Sequence, residues 1–474
     1  MNIETIPLCV DLDGTLVGTD MLVESFLVLV KSNPLYLVLS PFWLLKGKAH
    51  LKREIARRVR IDPGSLPYAP DLLAFLTEEH RRGRPLVLAT ASDELIARPI
   101  ADHLGLFGEV LASDGRTNLS GSKKLEALRG KFGAKGFDYV GDGKEDLKIW
   151  ECARYAFLAS PSRLVLKKAQ DIATVKQVFG RQRENLRSIF KSLRTHQWAK
   201  NVLIFVSLIT AHKLTNGLLA LRSALAFLAF SLCASSGYIL NDLLDLTADR
   251  KHARKRARPF ASGDLPLAFG ILAVPLLLIA GLSLAATLPP EFLMTTVLYF
   301  VLSCAYSFYF KKMIIADVVI LAALYTLRIF AGSEAIGVPT SHWLMAFSMF
   351  MFTSLAFVKR FSEIRSLHDE NKAHVAGRGY VPGDLEQLAS LGAASGYVGV
   401  LVFALYVNSG EVSVLYAHPA RLWLIAPFIL YWISRIWILA HRGEVDEDPV
   451  IFALKDKATY LAGFSVACLM WWAL

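Results

Sequence analysis

Cysteine is scarce and scattered in this chain. The five residues, Cys9, Cys152, Cys233, Cys304 and Cys468, include no CxxC pair, and an odd, dispersed set is not a disulfide framework. Apolar buried thiols are the expected reading. A leading apolar stretch is also missing. Glu4 and the acidic Asp11-Leu12-Asp13 come before any long apolar run, so no signal peptide opens the chain and the N-terminal domain is expected in the cytoplasm. Charge is thin in the second part. Residues 1–200 carry 31 Lys+Arg and 23 Asp+Glu, whereas residues 201–474 carry only 21 and 18. With 54% hydrophobic residues over 474 positions and a mean hydropathy of +0.41, these absences exclude a single soluble enzyme, a fibrous chain and a disordered one.

What is present divides in two. From about Trp198 on, apolar runs alternate with short polar loops. A span needs about 20 apolar residues. Nine candidates follow: 198–213, 217–240, 264–288, 291–310, 313–337, 341–362, 386–409, 418–441 and 457–474. With a cytoplasmic N-terminus, the inside loops hold 16 basic residues. The outside loops hold only Lys213 and Arg421. That asymmetry is what the positive-inside rule expects of nine crossings.

The inside loops also hold chemistry. Loop 241–260 reads NDLLDLTADRKHARKRARPF. Asp242, Asp245 and Asp249 recur at spacings of three and four, which places them on one face of a helix. Three carboxylates on one face repel each other unless cations lie between them, and hard oxygen ligands suit Mg²⁺. The basic run Arg250 to Arg258 follows at once and suits phosphate oxygens. A solvated juxtamembrane charge run binding anionic lipid is the blander alternative.

Asn241-Asp242-x-x-Asp245-x-x-x-Asp249-Arg250, followed by RKRxRP at 254–259, resembles the first aspartate-rich motif of the UbiA family of intramembrane prenyltransferases. The resemblance covers about 190–474 and implies a nine-helix bundle with a Mg²⁺–diphosphate site on the cytoplasmic side. The loop after the sixth run departs from the aromatic prenyltransferases. It has Glu363, Asp369 and Glu370 but no DxxxD cluster. LRTHQWAKNVLIF at 193–205, FASG at 260–263, YSFYFKK at 306–312, DVVILAALYTLRIFAG at 317–332 and DPVIFALKD at 448–456 are similar instead to one branch of the family, the decaprenyl-phosphate phosphoribosyltransferases. That resemblance implies transfer of 5-phosphoribose from phosphoribosyl diphosphate to a polyprenyl phosphate. Asp242, Asp245 and Asp249 would hold Mg²⁺ on the donor diphosphate. Asn241, Arg250, Lys255, Arg256 and Arg258 would line the substrate phosphates, and Lys200 and Asn201 would reach the donor or acceptor phosphate. Arg328 is an intramembrane cation expected to face a polar cavity. Asp317, eleven residues earlier, falls on the same helix face, with a structural Asp–Arg or Asp–Lys pair as its alternative. Lys359 and Arg360 close the sixth span as substrate ligands or as snorkelling anchors.

The first part reads as an α/β domain. Ile6–Leu16 is an apolar run ending in Asp-x-Asp-Gly-Thr-Leu, a buried strand delivering Asp11 and Asp13 at its C-terminal end, where open α/β sheets place their sites. PLVLATAS at 85–92, SGSKKLEAL at 120–128 and FDYVGDGKEDL at 137–147 follow in order. Together they resemble the four motifs of the haloacid dehalogenase superfamily, a Rossmann-like phosphohydrolase fold, over about 1–165. The resemblance implies Asp11 as nucleophile, Asp13 as general acid/base and Thr90 as a phosphoryl ligand. It also implies Lys124 (or Lys123) as charge neutraliser, and Asp142 with Asp146 at Mg²⁺ alongside Asp11 and Asp13. The acid at position 13 favours phosphatase over ATPase chemistry. Residues 17–84 are expected to form a helical cap, whose segment 26–46 is almost wholly apolar yet too short to span. Either it forms a hairpin inside the cap or it dips into the cytoplasmic leaflet.

Residues 163–200 carry ten basic and two acidic residues, a basic amphipathic linker at a membrane surface. Because residues 1–162 are neutral overall, the +11 is a poor sign of nucleic-acid binding. The expected architecture is a Rossmann-like domain (1–162) with a helical cap, a linker (163–197) and an all-α polytopic bundle (198–474) in a bacterial inner membrane. The expected function is two consecutive Mg²⁺-dependent steps, phosphoribosyl transfer and dephosphorylation of the product. The alternative is a prenyltransferase for an aromatic or other small acceptor, joined to an unrelated phosphatase or a non-catalytic module.

Overall fold

In the computed structural model, residues 6–180, 185–252, 254–369, 379–445, 449–453 and 455–474 are described. Glu370, Lys372, Arg378 and Asp448 lie outside them. The chain forms two compact units. The first is Met1–Leu193 with Ile239–Ala273, and the second is Arg194–Tyr238 with Val274–Leu474.

The first unit is built on a six-stranded parallel sheet in the order β3-β2-β1-β4-β5-β6. The strands are β1 (Leu8–Val10), β2 (Leu86–Asp93), β3 (Glu109–Ser113), β4 (Asp138–Gly141), β5 (Ala156–Ala159) and β6 (Val175–Phe179). Val10 lies between Leu88 and Val140. Alternation sorts the side chains to the two faces. Leu8, Val10, Leu88 and Val140 join one core, and Cys9, Val87, Ala89 and Tyr139 join the other. Burying each Leu or Val contributes about 1.5–3 kcal/mol. Strand order reverses between β1 and β4, and ligands of doubly wound sheets sit at such a point.

Four helices separate β1 from β2: α1 (Met21–Ser32), α2 (Tyr36–Leu45), α3 (Lys48–Ala56) and α4 (Pro70–Arg81). Asp20 caps α1 by accepting from the Val23 N–H at 3.0 Å. Helices α5 (Glu94–Leu104), α6 (Ser122–Phe132) and α7 (Leu147–Cys152) connect the later strands.

The linker expected from residue 163 begins later. Residues 163–179 form α8 (Arg163–Ile172) and β6, the last strand of the sheet. Val165 and Ala169 bury one face of α8, and Phe179 packs against Phe75 and Phe157. The amphipathic pattern that suggested a membrane surface is thus partly spent on this domain's own core. A short helix, α9 (Asn185–Ser192), follows.

The second unit is helical. Seven helices are long and apolar enough to cross a membrane: Gly217–Leu244, Leu267–Ala285, Pro290–Phe308, Ala316–Ile336, His342–Ser366, Pro382–Val407 and Pro419–Arg442. They correspond to α11, α13, α14, α15, α16, α17 and α19, the last two with a preceding 3₁₀ turn; the first two carry residues of both units. Among the described residues seven is the full count by length and composition, so the nine expected spans are not confirmed. The first expected span is a 3₁₀ stretch, Thr195–Phe205, followed by the short α10 (Val206–Thr210). It packs so closely on α15 that a Cβ at Gly332 would lie 2.1 Å from the Ile204 carbonyl oxygen. The last, α21 (Lys457–Ala473), has 17 residues. The remaining helices are α12 (Leu246–Lys251), α18 (Gly410–Leu415) and α20 (Pro449–Ala453).

Candidate functional site

The first cluster lies at the C-terminal edge of the sheet. Asp11 follows β1 directly and donates its N–H to the Val140 carbonyl at 3.0 Å, which fixes the backbone between β2 and β4. Its carboxylate is buried. Oδ1 accepts from the Leu12 N–H at 2.8 Å and lies 2.9 Å from Lys124 Nζ. Burial pushes the Asp11 carboxyl up to about 7, against the pull of Lys124, and Asp146 and Asp13 push the same way.

Asp13 is held differently. Its carboxylate accepts from Met21 N–H at 2.7 Å, Ser92 Oγ at 2.8 Å and Thr90 Oγ1 at 3.3 Å. Burial raises its pKa, with Asp20 adding to the effect. A carboxyl whose pKa is raised in this way suits proton donation.

Asp142 and Asp146 come from the loop after β4. Asp142 Oδ1 accepts from Thr15 Oγ1 at 3.2 Å. Gly14 adopts φ +73°, and a Cβ there would lie 2.4 Å from Asp142 Oδ2, so this turn requires glycine. Asp146 Oδ2 accepts the backbone N–H groups of Asp142 and Gly143 at 3.1 Å each. Tyr139 links the two sides, donating to Asp146 Oδ1 at 3.0 Å and accepting from Lys124 Nζ at 3.1 Å. Asp11, Asp142 and Asp146 each offer a carboxylate oxygen, all within 4.8 Å of one another. Three hard oxygen donors on a largely buried cluster with more carboxylates than cations fit Mg²⁺. The Asp13 carboxylate, expected among the ligands, is taken up by Ser92, Thr90 and Met21.

Residues from the cap complete this edge. Lys52 Nζ donates to the Ala91 carbonyl at 2.6 Å and to Asn118 Oδ1 at 2.8 Å, and Arg53 pairs with Asp93 at 2.7 Å. Ser92, Thr15, Tyr139 and Lys52 escaped the sequence reading. Ser92 was in sight as one of the hydroxyls ending β2. Tyr139 reads as an ordinary apolar strand position and carried no signal.

The second cluster is the aspartate-rich loop, also in the first unit. Asp242 and Asp249 are buried. Arg258 bridges them, its guanidinium 3.1 Å from Asp242 Oδ1 and 2.6 Å from Asp249 Oδ2. Lys31 of α1 lies 2.9 Å from Asp245 Oδ1. The cations needed between these carboxylates are thus supplied by the chain itself. Burial raises the Asp249 carboxyl to about 6 against the pull of Arg258. Arg250, expected at a substrate phosphate, binds both oxygens of buried Glu24 on α1 at 2.5 and 2.9 Å, and the Ala261 carbonyl at 3.1 Å. Gly263 comes so close to Gly18 that a Cβ would lie 2.8 Å from the Gly18 carbonyl oxygen. Asn241 and Lys255 are half-buried, and Arg256 is exposed.

In the second unit two buried arginines, Arg328 and Arg360, each centre a hydrogen-bonded network. Arg328 donates to Asn201 Oδ1 and to the Tyr299 hydroxyl, each at 2.9 Å, and lies over the rings of Phe230, Tyr299 and Tyr325. Asn201 donates in turn to Ser231 Oγ at 2.9 Å, and Lys200 Nζ lies 5.6 Å from the Tyr325 ring. Arg360 donates to Asp317 Oδ2 and Glu363 Oε2, both at 2.5 Å, and to the Tyr306 hydroxyl at 2.7 Å. Tyr380 donates to Asp317 Oδ1 at 2.6 Å. For Asp317 the alternative of a structural Asp–Arg pair is the one that forms, with Arg360 as the partner. Arg360, 1% exposed, is no snorkelling anchor, whereas Lys359 is half-buried. A separate cavity of about 960 Å³ in this unit is lined by mostly apolar side chains, among them Val206, Phe347, Phe352, Phe403, Ile429 and Trp432.

Two family models match the chain, the UbiA prenyltransferase family over residues 202–455 and haloacid dehalogenase-like hydrolase over residues 8–151. The chain belongs to the UbiA prenyltransferase family and is a multi-pass membrane protein fused to a haloacid dehalogenase-type phosphatase domain. Among relatives, a Sinorhizobium fredii protein, "Uncharacterized protein y4nM", is 36% identical over 465 residues, covering 98% of this chain and 90% of that one. "Decaprenyl-phosphate phosphoribosyltransferase" of Corynebacterium glutamicum is 34% identical over 40% of this chain and 57% of its own length. The protein of that name in Mycolicibacterium smegmatis is 30% identical, covering 57% of this chain and 86% of its own length.

Proposed function

We propose that the chain catalyses two consecutive Mg²⁺-dependent steps on a lipid carrier. The membrane domain transfers 5-phosphoribose from phosphoribosyl diphosphate to a polyprenyl phosphate, and the phosphatase domain removes the 5-phosphate. The observation that carries the second step is the buried Asp11–Lys124 pair flanked by Asp13, Asp142 and Asp146. The first step is supported by the aspartate-rich loop and by the names of two partial relatives.

In the phosphatase step, an Asp11 carboxylate oxygen attacks phosphorus and forms an aspartyl-phosphate while the ribose O5–P bond breaks. Asp13, held by Ser92, Thr90 and Met21, gives its proton to the departing O5. It then takes a proton from the water that attacks the aspartyl-phosphate, releasing phosphate and restoring Asp11. Lys124 balances the charge on Asp11 throughout. Bound between Asp11, Asp142 and Asp146, Mg²⁺ would neutralise the phosphoryl oxygens.

In the transferase step, Asp242, Asp245 and Asp249 would carry Mg²⁺ on the donor diphosphate, with Arg258 and Lys31 giving way to it. Asn241, Arg250, Lys255, Arg256, Lys200, Asn201, Arg328, Lys359 and Arg360 are the candidate phosphate-binding and positioning residues. Loop charge supports a bacterial inner membrane with the phosphatase in the cytoplasm.

The test is a reaction of purified protein with Mg²⁺, polyprenyl phosphate and phosphoribosyl diphosphate. The dephosphorylated lipid is expected from wild type, the phosphorylated lipid alone from Asp11→Asn, and neither from Asp242→Asn. Turnover with prenyl diphosphates and an aromatic acceptor, but not with phosphoribosyl diphosphate, would select a prenyltransferase instead.

A further inference from the structure

We propose that α2 of the cap is a bilayer-docking helix, seated in one leaflet of the membrane that the same chain spans. The proposal rests on the membrane-protein assignment and on neither proposed reaction. If the phosphatase reading also holds, its substrate is an ester carried in that membrane.

Helix α2, YLVLSPFWLL, has no buried residue. Leu37, Val38, Leu39, Phe42, Leu44 and Leu45 are 45–84% exposed, and no charged residue interrupts them. Elsewhere in this unit many such side chains fill two cores, and the exposed ones, such as Leu95 and Leu164, do not form an uninterrupted apolar helix. An apolar patch of this kind marks an interaction surface. The occupant follows from three further observations.

The first is length. Ten residues make a helix of about 15 Å, half of the roughly 30 Å hydrocarbon layer. It is long enough for one leaflet and too short to cross.

The second is backbone satisfaction. Pro41 has no N–H, so the Leu37 carbonyl loses its helical donor. The Ser40 hydroxyl reaches that carbonyl at 3.4 Å, within hydrogen-bond distance, as an apolar medium demands.

The third is charge. Lys46 and Lys48 are exposed just after the C-terminal end of α2, and the Arg58 guanidinium lies 4.8 Å over the Trp43 ring. Cations and a tryptophan beside an apolar insertion suit the headgroup layer.

The docked helix also has a route to the chemistry. Gly47, at φ +105°, turns the chain straight into α3. Helix α3 carries Lys52 to the Ala91 carbonyl and Arg53 to Asp93, at the catalytic edge of β2.

The test uses the full chain in phosphatidylethanolamine–phosphatidylglycerol vesicles containing a lipid with an acyl-chain diazirine. Photolabelling and mass spectrometry should find label on residues 35–45 as well as on spanning helices such as Leu267–Ala285. Labelled spans with an unlabelled 35–45 peptide overturn the proposal, whether or not α2 then cross-links to a second copy or another protein. In a Phe42→Glu, Leu45→Glu variant the 35–45 label should fall at least fivefold while the span label persists. Hydrolysis of p-nitrophenyl phosphate, compared with wild type, reports that the variant domain is folded; label equal to wild type on 35–45 also overturns the idea. Labelling requires neither proposed reaction, so this outcome and the failure of either activity are read separately.

Discussion

The two halves of this chain bury charge in opposite ways. At the phosphatase edge the buried acids stay under-compensated: Asp11 has one lysine, Asp13 has neutral donors, and Asp146 has backbone N–H groups and a tyrosine. In the bundle, Arg360 meets two carboxylates and a tyrosine. A site that must accept a cation and a phosphoryl group keeps its charge open. A helix bundle in lipid closes its charge, because an unpaired ion there is costly.

The largest expected effect comes from breaking the open side. Asp11→Asn removes the proposed nucleophile, so hydrolysis of a soluble phosphate ester should fall by about 10³-fold or more, as for other essential nucleophiles. Formation of the phosphorylated lipid should stay within about twofold. Loss of both activities together would deny that the two halves act separately.

Breaking the closed side should act on stability as well. Arg360→Met leaves Asp317 and Glu363 without their shared cation, and removing one partner of a buried pair costs about 3–5 kcal/mol. The thermal midpoint of the bundle in detergent should drop sharply, and adding Asp317→Asn should recover part of the loss. Unchanged stability would mean that the network is not closed as described.

The boundary between the halves offers a smaller effect. Residues 239–273 pack with the phosphatase, and buried Glu24 of α1 holds Arg250 bidentately. Glu24→Gln weakens that grip by about 1–3 kcal/mol. Transfer should fall by about tenfold through a raised donor KM, with p-nitrophenyl phosphate hydrolysis within twofold of wild type. A Glu24→Asp variant should recover most of the transfer.

The same contrast explains what was legible in the sequence. Asp11, Asp13, Lys124 and Asp142 could be found because apolar strands of a parallel sheet end where chemistry happens, and short motifs mark those ends. The cap contacts were invisible, since Lys52 and Glu24 are ordinary helix residues until tertiary packing brings them to Ala91 and Arg250. Strand β6 was misjudged because α8 before it shows the 3.6-residue pattern of a surface helix while packing on its own sheet. The first expected span is not confirmed, for a related reason. Hydropathy over 198–213 counts Lys200 and Asn201 as tolerable interruptions, but these residues are buried in the bundle and the segment winds as a 3₁₀ stretch against α15. Partners in the bundle were the least predictable, because Asp317 and Arg360 are 43 positions apart.

The smallest expected effect concerns protons at the open site. Burial lifts the Asp11 carboxyl to about 7, against about 3.9 in an unfolded chain. Between those values the folded state holds a proton that the unfolded state has lost, so this group's contribution to stability falls as pH rises from about 4 to about 7. A cation entering between Asp11, Asp142 and Asp146 must displace that proton. With one proton at pKa about 7, roughly a tenth of Asp11 is ionised at pH 6 and most of it at pH 8. The apparent Kd for Mg²⁺ should therefore be about tenfold weaker at pH 6. Isothermal titration of an Asp242→Asn variant, which silences the aspartate-rich loop, measures it. A Kd that does not change between the two pH values would mean that Asp11 is already ionised, its charge closed by Lys124 as the bundle's charges are closed by Arg360.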